Sequence, residues 1–473
     1  MGKGTSGKGS NAETPASEAS DQSKETNGYK LGLKPPKQVE IFFDVRDSSY
    51  WFRLNGRYVS LGKTDLMMHL RALGLKERIY FDGQREIDWP LWRAMLDRMV
   101  DYAGPLAGHK TGIFADGSGR KYLITDEARG VFEPQKAKGE PAFFFAFIQE
   151  LLPGDQWEYY CHQLAIKLRS LAAGDFAPSQ VAIFAGERKC GKSLLQYITT
   201  EILGGRVGNP FAYMIGETNF NRDFCGAEHW MIEDPRGSKA MSERMHFGAR
   251  LKEGTVNRDY TIHAKNKDAI YLPLNRFITI SVNMELEYLS VLPPMDHSIA
   301  DKISLYLCAH VEKAFVPYRD KKTGEQHRDK IWDTITGEVP QIRSWLLRRF
   351  QSRYIPKDVR DERFGICAWH HPGLLAELRS LSHEQRLLEL IDLCYFNDDV
   401  GPLLSVEKKH ADIQKDLMEQ DRFEAEKILR YPGACGSHLG KLSKSQPDRV
   451  SKRTVNGQSI WTITPPLRTK ESE

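Results

Sequence analysis

Apolar side chains are sparse over residues 1–38, where Gly, Ser, Thr, Lys and Glu dominate. Such a stretch cannot offset the entropy lost on ordering, so a disordered tail is expected there. From residue 39 the pattern changes. Residues 39–43 and 50–54 concentrate β-branched and aromatic side chains as strands do, and residues 65–72 read as a helix, so a mixed α+β domain is expected over 39–140. Helical spacing takes over from 142 to 171 and predicts a collar-like helical segment over 141–180. Short continuous apolar runs then alternate with helical stretches over 181–353, the pattern of a parallel sheet with crossover helices. A helical segment over 354–410 and a small module over 411–473 complete the chain.

Two hairpins stand out in this pattern. Residues 260–271 place two alternating arms around a Lys-Asn-Lys-Asp tip, with Lys265 and Lys267 at its apex. Residues 449–453 and 459–463 are joined through Asn456 and Gly457, the strongest short-range hairpin signal. The second hairpin follows a short basic helix over 437–444, and helix then basic hairpin is the layout of a winged helix. That layout serves DNA contact or protein contact. If DNA, Lys441, Lys444, Lys452 and Arg453 are the candidate phosphate partners, with duplex as the ligand.

The apolar run 181–185 leads into Gly186, Glu187, Arg188, Lys189, Cys190, Gly191, Lys192 and Ser193, a G-x-x-x-x-G-K-S sequence, and helical spacing resumes at Leu194. The spacing predicts a strand–loop–helix whose backbone amides cradle phosphates, with residues 186–194 as the nucleotide-binding segment. Lys192 reaches the β and γ groups, and Ser193 offers a hydroxyl to Mg²⁺. Hydrolysis also needs carboxylates at the end of a neighbouring strand, and Glu233 and Asp234 close the apolar run 229–232. Glu233 is the metal-shell candidate, directly or through a water, and Asp234 is the candidate to polarise the attacking water. The apolar run 277–282 ends in Asn283, suited to orient that water and sense the γ-phosphate. ATP and Mg²⁺ are the implied substrate and cofactor. Asp44 and Asp47, beside the first predicted strand, allow either a polymerase-like metal site or an ordinary turn.

Composition narrows this picture only slightly. At 473 residues the chain exceeds what one core holds, and 40% hydrophobic with 27% charged residues is the balance of a globular protein. No apolar run approaches the roughly 18 residues that cross a bilayer, so no membrane partner and a cytoplasmic location are expected. Seven cysteines lie scattered without a C-x-x-C pair, which suggests neither zinc nor a disulfide framework. The net charge of +4 is uninformative, but residues 427–453 hold seven Lys or Arg against one acid, Asp448.

The loop, the acidic strand and the strand ending in Asn283 fall within about a hundred residues, an order that resembles superfamily 3 helicases. Within them the chain is similar to the phage and mobile-element primase-helicases related to the poxvirus type. The likeness covers about residues 140–400 and includes Pro141, Phe143, Asp155 and Trp157 before the loop, and Arg363, Gly365, His370, His371 and Pro372 after it. It implies a P-loop NTPase core of AAA+ kind in a homo-oligomeric ring of six subunits around single-stranded DNA. It also implies a hairpin, here Lys265 and Lys267, projecting into the channel, and it leaves room for a separate primase or polymerase as a partner. The family presents an arginine after the Asn-bearing strand that reaches the neighbouring subunit's ATP, yet residues 284–318 contain no Arg. Lys302 is the cation nearest that position, with Arg236 and Arg250 as alternatives. The resemblance thus implies an ATP-dependent replicative helicase. Two other readings stay open: a DNA-binding initiator or regulator that uses the loop as a nucleotide switch, and a motor for DNA packaging or protein remodelling.

Overall fold

A computed structural model describes residues 40–79, 85–235, 241–265, 268–284, 289, 291–293, 295, 298–320, 322–380, 383–396, 404–455 and 457–466. The expected tail over 1–38, together with Lys267 and Arg236, lies outside these residues.

The N-terminal domain is built on β1 (Ile41–Asp44), β2 (Ser49–Leu54), β3 (Arg57–Leu61) and, after α1 (Lys63–Ala72) and α2 (Trp89–Leu96), β4 (Met99–Val100). These four strands form one sheet in the order β3-β2-β1-β4. Ile41, Tyr50 and Phe52 of the sheet bury against Leu66 and Leu70 of α1 and Leu91 and Ala94 of α2. A second, three-stranded sheet of β5 (Tyr102–Gly104), β6 (Gly112–Ala115) and β7 (Lys121–Ile124) carries the chain to the helical pair α3 (Ala142–Leu151) and α4 (Gln156–Ala173). Helix α4 stops at Gly174, whose φ of 71° is the left-handed cap that glycine adopts without a Cβ clash.

The central sheet comprises β8 (Val181–Gly186), β9 (Val207–Gly208), β10 (His229–Glu233), β13 (Phe277–Val282) and β14 (Ile303–Cys308). All its pairings are parallel, and the order is β14-β8-β13-β10-β9. Parallel strands covered on both faces favour apolar side chains at most positions, which is why these segments read as near-continuous runs, broken by buried His229, Thr279, Ser281 and Ser304. The alternation of a strand splits them between two cores: Val181, Ile183 and Ala185 join one, Ala182 and Phe184 the other. The second core also takes in α3, α4, α5 (Lys192–Ile202) and α8 (Arg328–Arg349). Buried Arg343 of α8 donates to the carbonyls of Ile202 and Glu201 at 2.8 Å each, placing a cation at the C-terminal end of α5. After the short α6 (Phe211–Met214), the opposite core takes in α7 (Met241–Val256) and the hairpin of β11 (Asp259–Ile262) and β12 (Ile270–Pro273).

Beyond α9 (Pro372–Ser380), one further core unites α10 (His383–Tyr395), β15 (Val406–Lys409), α11 (His410–Gln420), α12 (Arg422–Ile428), α13 (Ala434–Ser445), β16 (Val450–Val455) and β17 (Gln458–Ile463). Its antiparallel sheet runs β15-β17-β16. Leu387, Leu388 and Ile391 of α10 belong to this core, so a boundary at residue 411 would cut through it. All seven cysteines are free thiols. No helix among the described residues is long and apolar enough to cross a membrane.

Candidate functional site

Strand β8 ends at Gly186 and α5 begins at Lys192, so the G-x-x-x-x-G-K-S segment turns from strand into helix within five residues. The turn needs its glycines. A Cβ on Gly186 would meet the Cys308 carbonyl oxygen at 2.8 Å, and Gly191 has a φ of 123° with Phe147 and Leu151 packed close beneath it. Lys189 also takes a positive φ, 64°, which folds the loop back over the helix start. No side chain caps the N-terminus of α5. Glu187, Arg188, Lys189 and Ser193 are exposed and Leu194 is half-buried, while Cys190 and Lys192 are buried.

Lys192 is 8% exposed, and its ammonium must therefore find acceptors inside the protein. It donates to the carbonyls of Gly186 and Glu187 at 2.7 Å each, and to Asn283 Oδ1 at 3.3 Å. Asn283 in turn donates through Nδ2 to Asp234 Oδ1 at 2.8 Å. This chain follows from strand order. Because β13 lies between β8 and β10, the amide that ends β13 sits between the lysine after β8 and the carboxylate after β10. Asp234 adopts a φ of 41°, held by its amide donating to the Ser281 carbonyl at 3.1 Å. Glu233 accepts from the Tyr197 hydroxyl of α5 at 3.1 Å. Beneath the loop, the Cys190 thiol is lowered to about 6 by a hydrogen bond from Cys308 and by the nearby Lys192 ammonium, which outweigh the effect of its burial.

The other sequence candidates lie apart. Lys265 is exposed beside the tip of the β11–β12 hairpin. Lys302 is anchored in its own chain: its ammonium donates to the Ser298 carbonyl at 2.9 Å and to Asp301 at 2.7 Å. Arg250 pairs with Glu253 at 2.8 Å and lies over the Tyr213 ring. In the C-terminal module Lys441 bonds Glu384, Arg453 pairs with Glu407, Lys452 lies over Trp461, and Lys444 is exposed.

Asp44 and Asp47 do not form a metal centre. Asp44 is 1% exposed and accepts from the amides of Arg46, Asp47 and Ala103, and burial pushes its carboxyl up from the usual carboxylate range. Asp47 pairs with Arg222 at 2.8 Å. No group of three or more His, Cys, Asp or Glu among the described residues could hold a metal ion. The turn reading of these two acids is the one the geometry supports. Sequence reasoning missed Tyr197, Ser281 and Cys308, because each reaches the site across the sheet or from a helix face and carries no local signature.

A cleft of about 810 Å³ opens between the N-terminal domain and the hairpin, lined by Val45, Arg46, Asp101, Phe220, His263 and Asp268. It is separate from the Lys192 site.

No protein-family model matches the chain, and no curated protein matches its sequence. Among solved structures, the apo C-terminal region of NrS-1 (305–718) superposes with a TM-score of 0.55 at 13% identity, covering 90% of this chain and 96% of that one. A second apo form of that region gives 0.52 at 13% identity, covering 90% and 97%. The chain thus shares its fold with that region over nearly its whole length. A JCV helicase aligns with 50% of this chain and 58% of its own at 13% identity, with a TM-score of 0.26, too low to carry a comparison.

Proposed function

We propose that this chain is an ATP-dependent DNA helicase of superfamily 3 type, acting as a homo-oligomeric ring in the replication of a phage or mobile element. The observation that carries the reading is the hydrogen-bonded chain Lys192–Asn283–Asp234 across the ends of adjacent parallel strands, beside an uncapped helix start. Phosphate would bind at the amides of residues 187–193, and the Lys192 ammonium would exchange its loop carbonyls for the β and γ oxygens of ATP. That ammonium is held by neutral carbonyls and not by a carboxylate, so the exchange breaks no ion pair.

The residues present fit Mg²⁺ as well. A hydroxyl at Ser193 and one carboxylate at Glu233, with substrate oxygens and water, are the donor set this ion takes, in place of an all-protein cage. When bound, it neutralises phosphate charge. Asp234 then polarises the attacking water, and Asn283, touching both Lys192 and Asp234, orients that water and senses the γ-phosphate. A cation from the neighbouring subunit completes the charge balance. Lys302 would serve only after leaving Asp301, and its point charge would contribute less than an arginine fork.

The DNA assignment rests on the hairpin, with exposed Lys265 beside its tip, and on Lys441, Lys444, Lys452 and Arg453 of the C-terminal module. Steady-state ATP hydrolysis with and without single-stranded DNA, coupled to strand separation, tests the reading. DNA-stimulated multiple turnover with unwinding supports it. Nucleotide binding without turnover would instead make the chain a switch.

A further inference from the structure

Besides the core that Tyr102, Tyr122 and Ile124 share with Ile262 and Ile270, the N-terminal domain reaches the hairpin through the shaped turn between β1 and β2. Asp44 builds that turn from inside: its buried carboxylate accepts from the amides of Arg46 at 3.0 Å and Asp47 at 3.3 Å, and through its other oxygen from Ala103 at 3.2 Å. Ser48 closes the turn at a φ of 47°. Three amides on one buried carboxylate leave the turn little freedom, and the side chains of Arg46 and Asp47 point away from the domain that carries them. Arg46 Nη1 donates to the carbonyls of Ala269 at 3.1 Å and Asp268 at 3.3 Å, at the foot of the hairpin tip. Asp47 forms a two-point ion pair with Arg222, at 2.8 and 3.2 Å.

Arg222 is itself tied to the hairpin through its neighbour. Asn221 donates from Nδ2 to the Thr261 carbonyl at 2.8 Å, accepts from the His263 amide at 2.7 Å, and donates its own amide to the His263 carbonyl at 3.1 Å. The hairpin is thereby gripped on both arms. Arg46 holds the β12 side, and Asp47 reaches the β11 side through Arg222 and Asn221.

We infer that Arg46 and Asp47 are positioning residues that lock the hairpin to the N-terminal domain, so that DNA-coupled ATP turnover depends on a domain far in sequence from the nucleotide site. The inference rests on the reading of β11–β12 as the DNA-contacting hairpin. It assigns residues 40–140 the work of fixing the height and tilt of Lys265 relative to the sheet that carries Asn283, since β12 runs on into β13 through three residues only. Neither Arg46 nor Asp47 touches the site of hydrolysis.

The test uses the full chain with Arg46→Ala, Arg46→Lys, Asp47→Asn and the charge exchange Asp47→Arg with Arg222→Asp. Basal ATP turnover should stay within about twofold of the parent in Arg46→Ala. DNA-stimulated turnover should fall about three- to tenfold, inside the roughly two- to thirtyfold range of coupling through a packed contact. Arg46→Lys should recover part of that loss, and the charge exchange should recover more than Asp47→Asn. Hydrogen exchange should rise over residues 259–273 in Arg46→Ala and stay unchanged over 181–202. The slope of DNA affinity against salt should not change, because no phosphate contact is lost. A slope lower by about 0.7 would make Arg46 a phosphate ligand and overturn the positioning role. Unchanged exchange over 259–273 would overturn the lock itself. If Lys265→Ala leaves DNA stimulation intact, the DNA reading of the hairpin fails and takes this inference with it; if Lys265→Ala removes stimulation while Arg46→Ala and Asp47→Asn do not, only the inference fails.

Discussion

Replacing Asn283 by alanine separates the catalytic from the structural worth of the residue between Lys192 and Asp234. The side chain is buried, and its loss removes a 2.8 Å donor to Asp234 and a 3.3 Å acceptor from Lys192. The structural cost is small. Asp234 is exposed, so water replaces the lost donor, and Lys192 keeps two carbonyl acceptors at 2.7 Å. A fall in stability of about 1 kcal/mol is expected, the lower end for a lost hydrogen bond, or a melting shift of about 2–4 °C. The catalytic cost is larger, because a preorganised group aimed at developing charge contributes about 10²–10³ in rate, or about 2.7–4 kcal/mol. The assay is steady-state ATP hydrolysis beside direct nucleotide binding and thermal melting. The expected outcome is kcat reduced about a hundredfold, binding changed by only a few-fold, and a small melting shift. Asn283→Asp is the matched control: its shape is preserved, but an acceptor then faces the Asp234 carboxylate, so it should be at least as slow as Asn283→Ala. If Asn283→Ala keeps kcat within twofold of the parent, the bridge is incidental to chemistry.

Glu233→Gln and Asp234→Asn should each bind nucleotide and hydrolyse it slowly, with the greater loss in Asp234→Asn; binding and turnover measured side by side check this, and two fully active variants would place the carboxylates elsewhere. A fragment of residues 383–466 should fold and bind duplex DNA with an affinity that falls steeply with salt, through Lys441, Lys444, Lys452 and Arg453. A fragment starting at 411 should fold poorly, because it lacks Leu387, Leu388 and Ile391 of the shared core, each worth about 1.5–3 kcal/mol; circular dichroism and salt titration distinguish the two. Mixed assemblies of Lys302→Ala and Lys192→Ala subunits should regain part of the hydrolysis each lacks if Lys302 acts on a neighbour's ATP, whereas full activity of Lys302→Ala alone would pass that role to another cation.

Much of the fold was legible where the signal is local. The strands β8, β10 and β13 were visible because burial on both faces imposes nearly continuous apolar runs, and the β11–β12 hairpin because its arms alternate about a polar tip. Sheet order was not legible, since nothing local says that β13 inserts between β8 and β10 and so brings Asn283 between Lys192 and Asp234. The same limit hid the core to which α10 belongs: the helix lies in the helical segment expected over 354–410, but its partners, Ile413 and Leu439, lie far along the chain. Asp44 shows the limit most sharply. An acid at a strand end reads alike as a metal ligand or a turn former, and only the positions of three amides decide between them.

The most direct test of the nucleotide site is ATP turnover by Lys192→Ala in the presence of single-stranded DNA. The ammonium sits at the start of α5 and donates to neutral acceptors, so its removal should lower the melting temperature by a few degrees while abolishing hydrolysis, because the β and γ phosphate charge loses its fixed partner. Turnover at the parent rate by a folded Lys192→Ala chain would contradict the account.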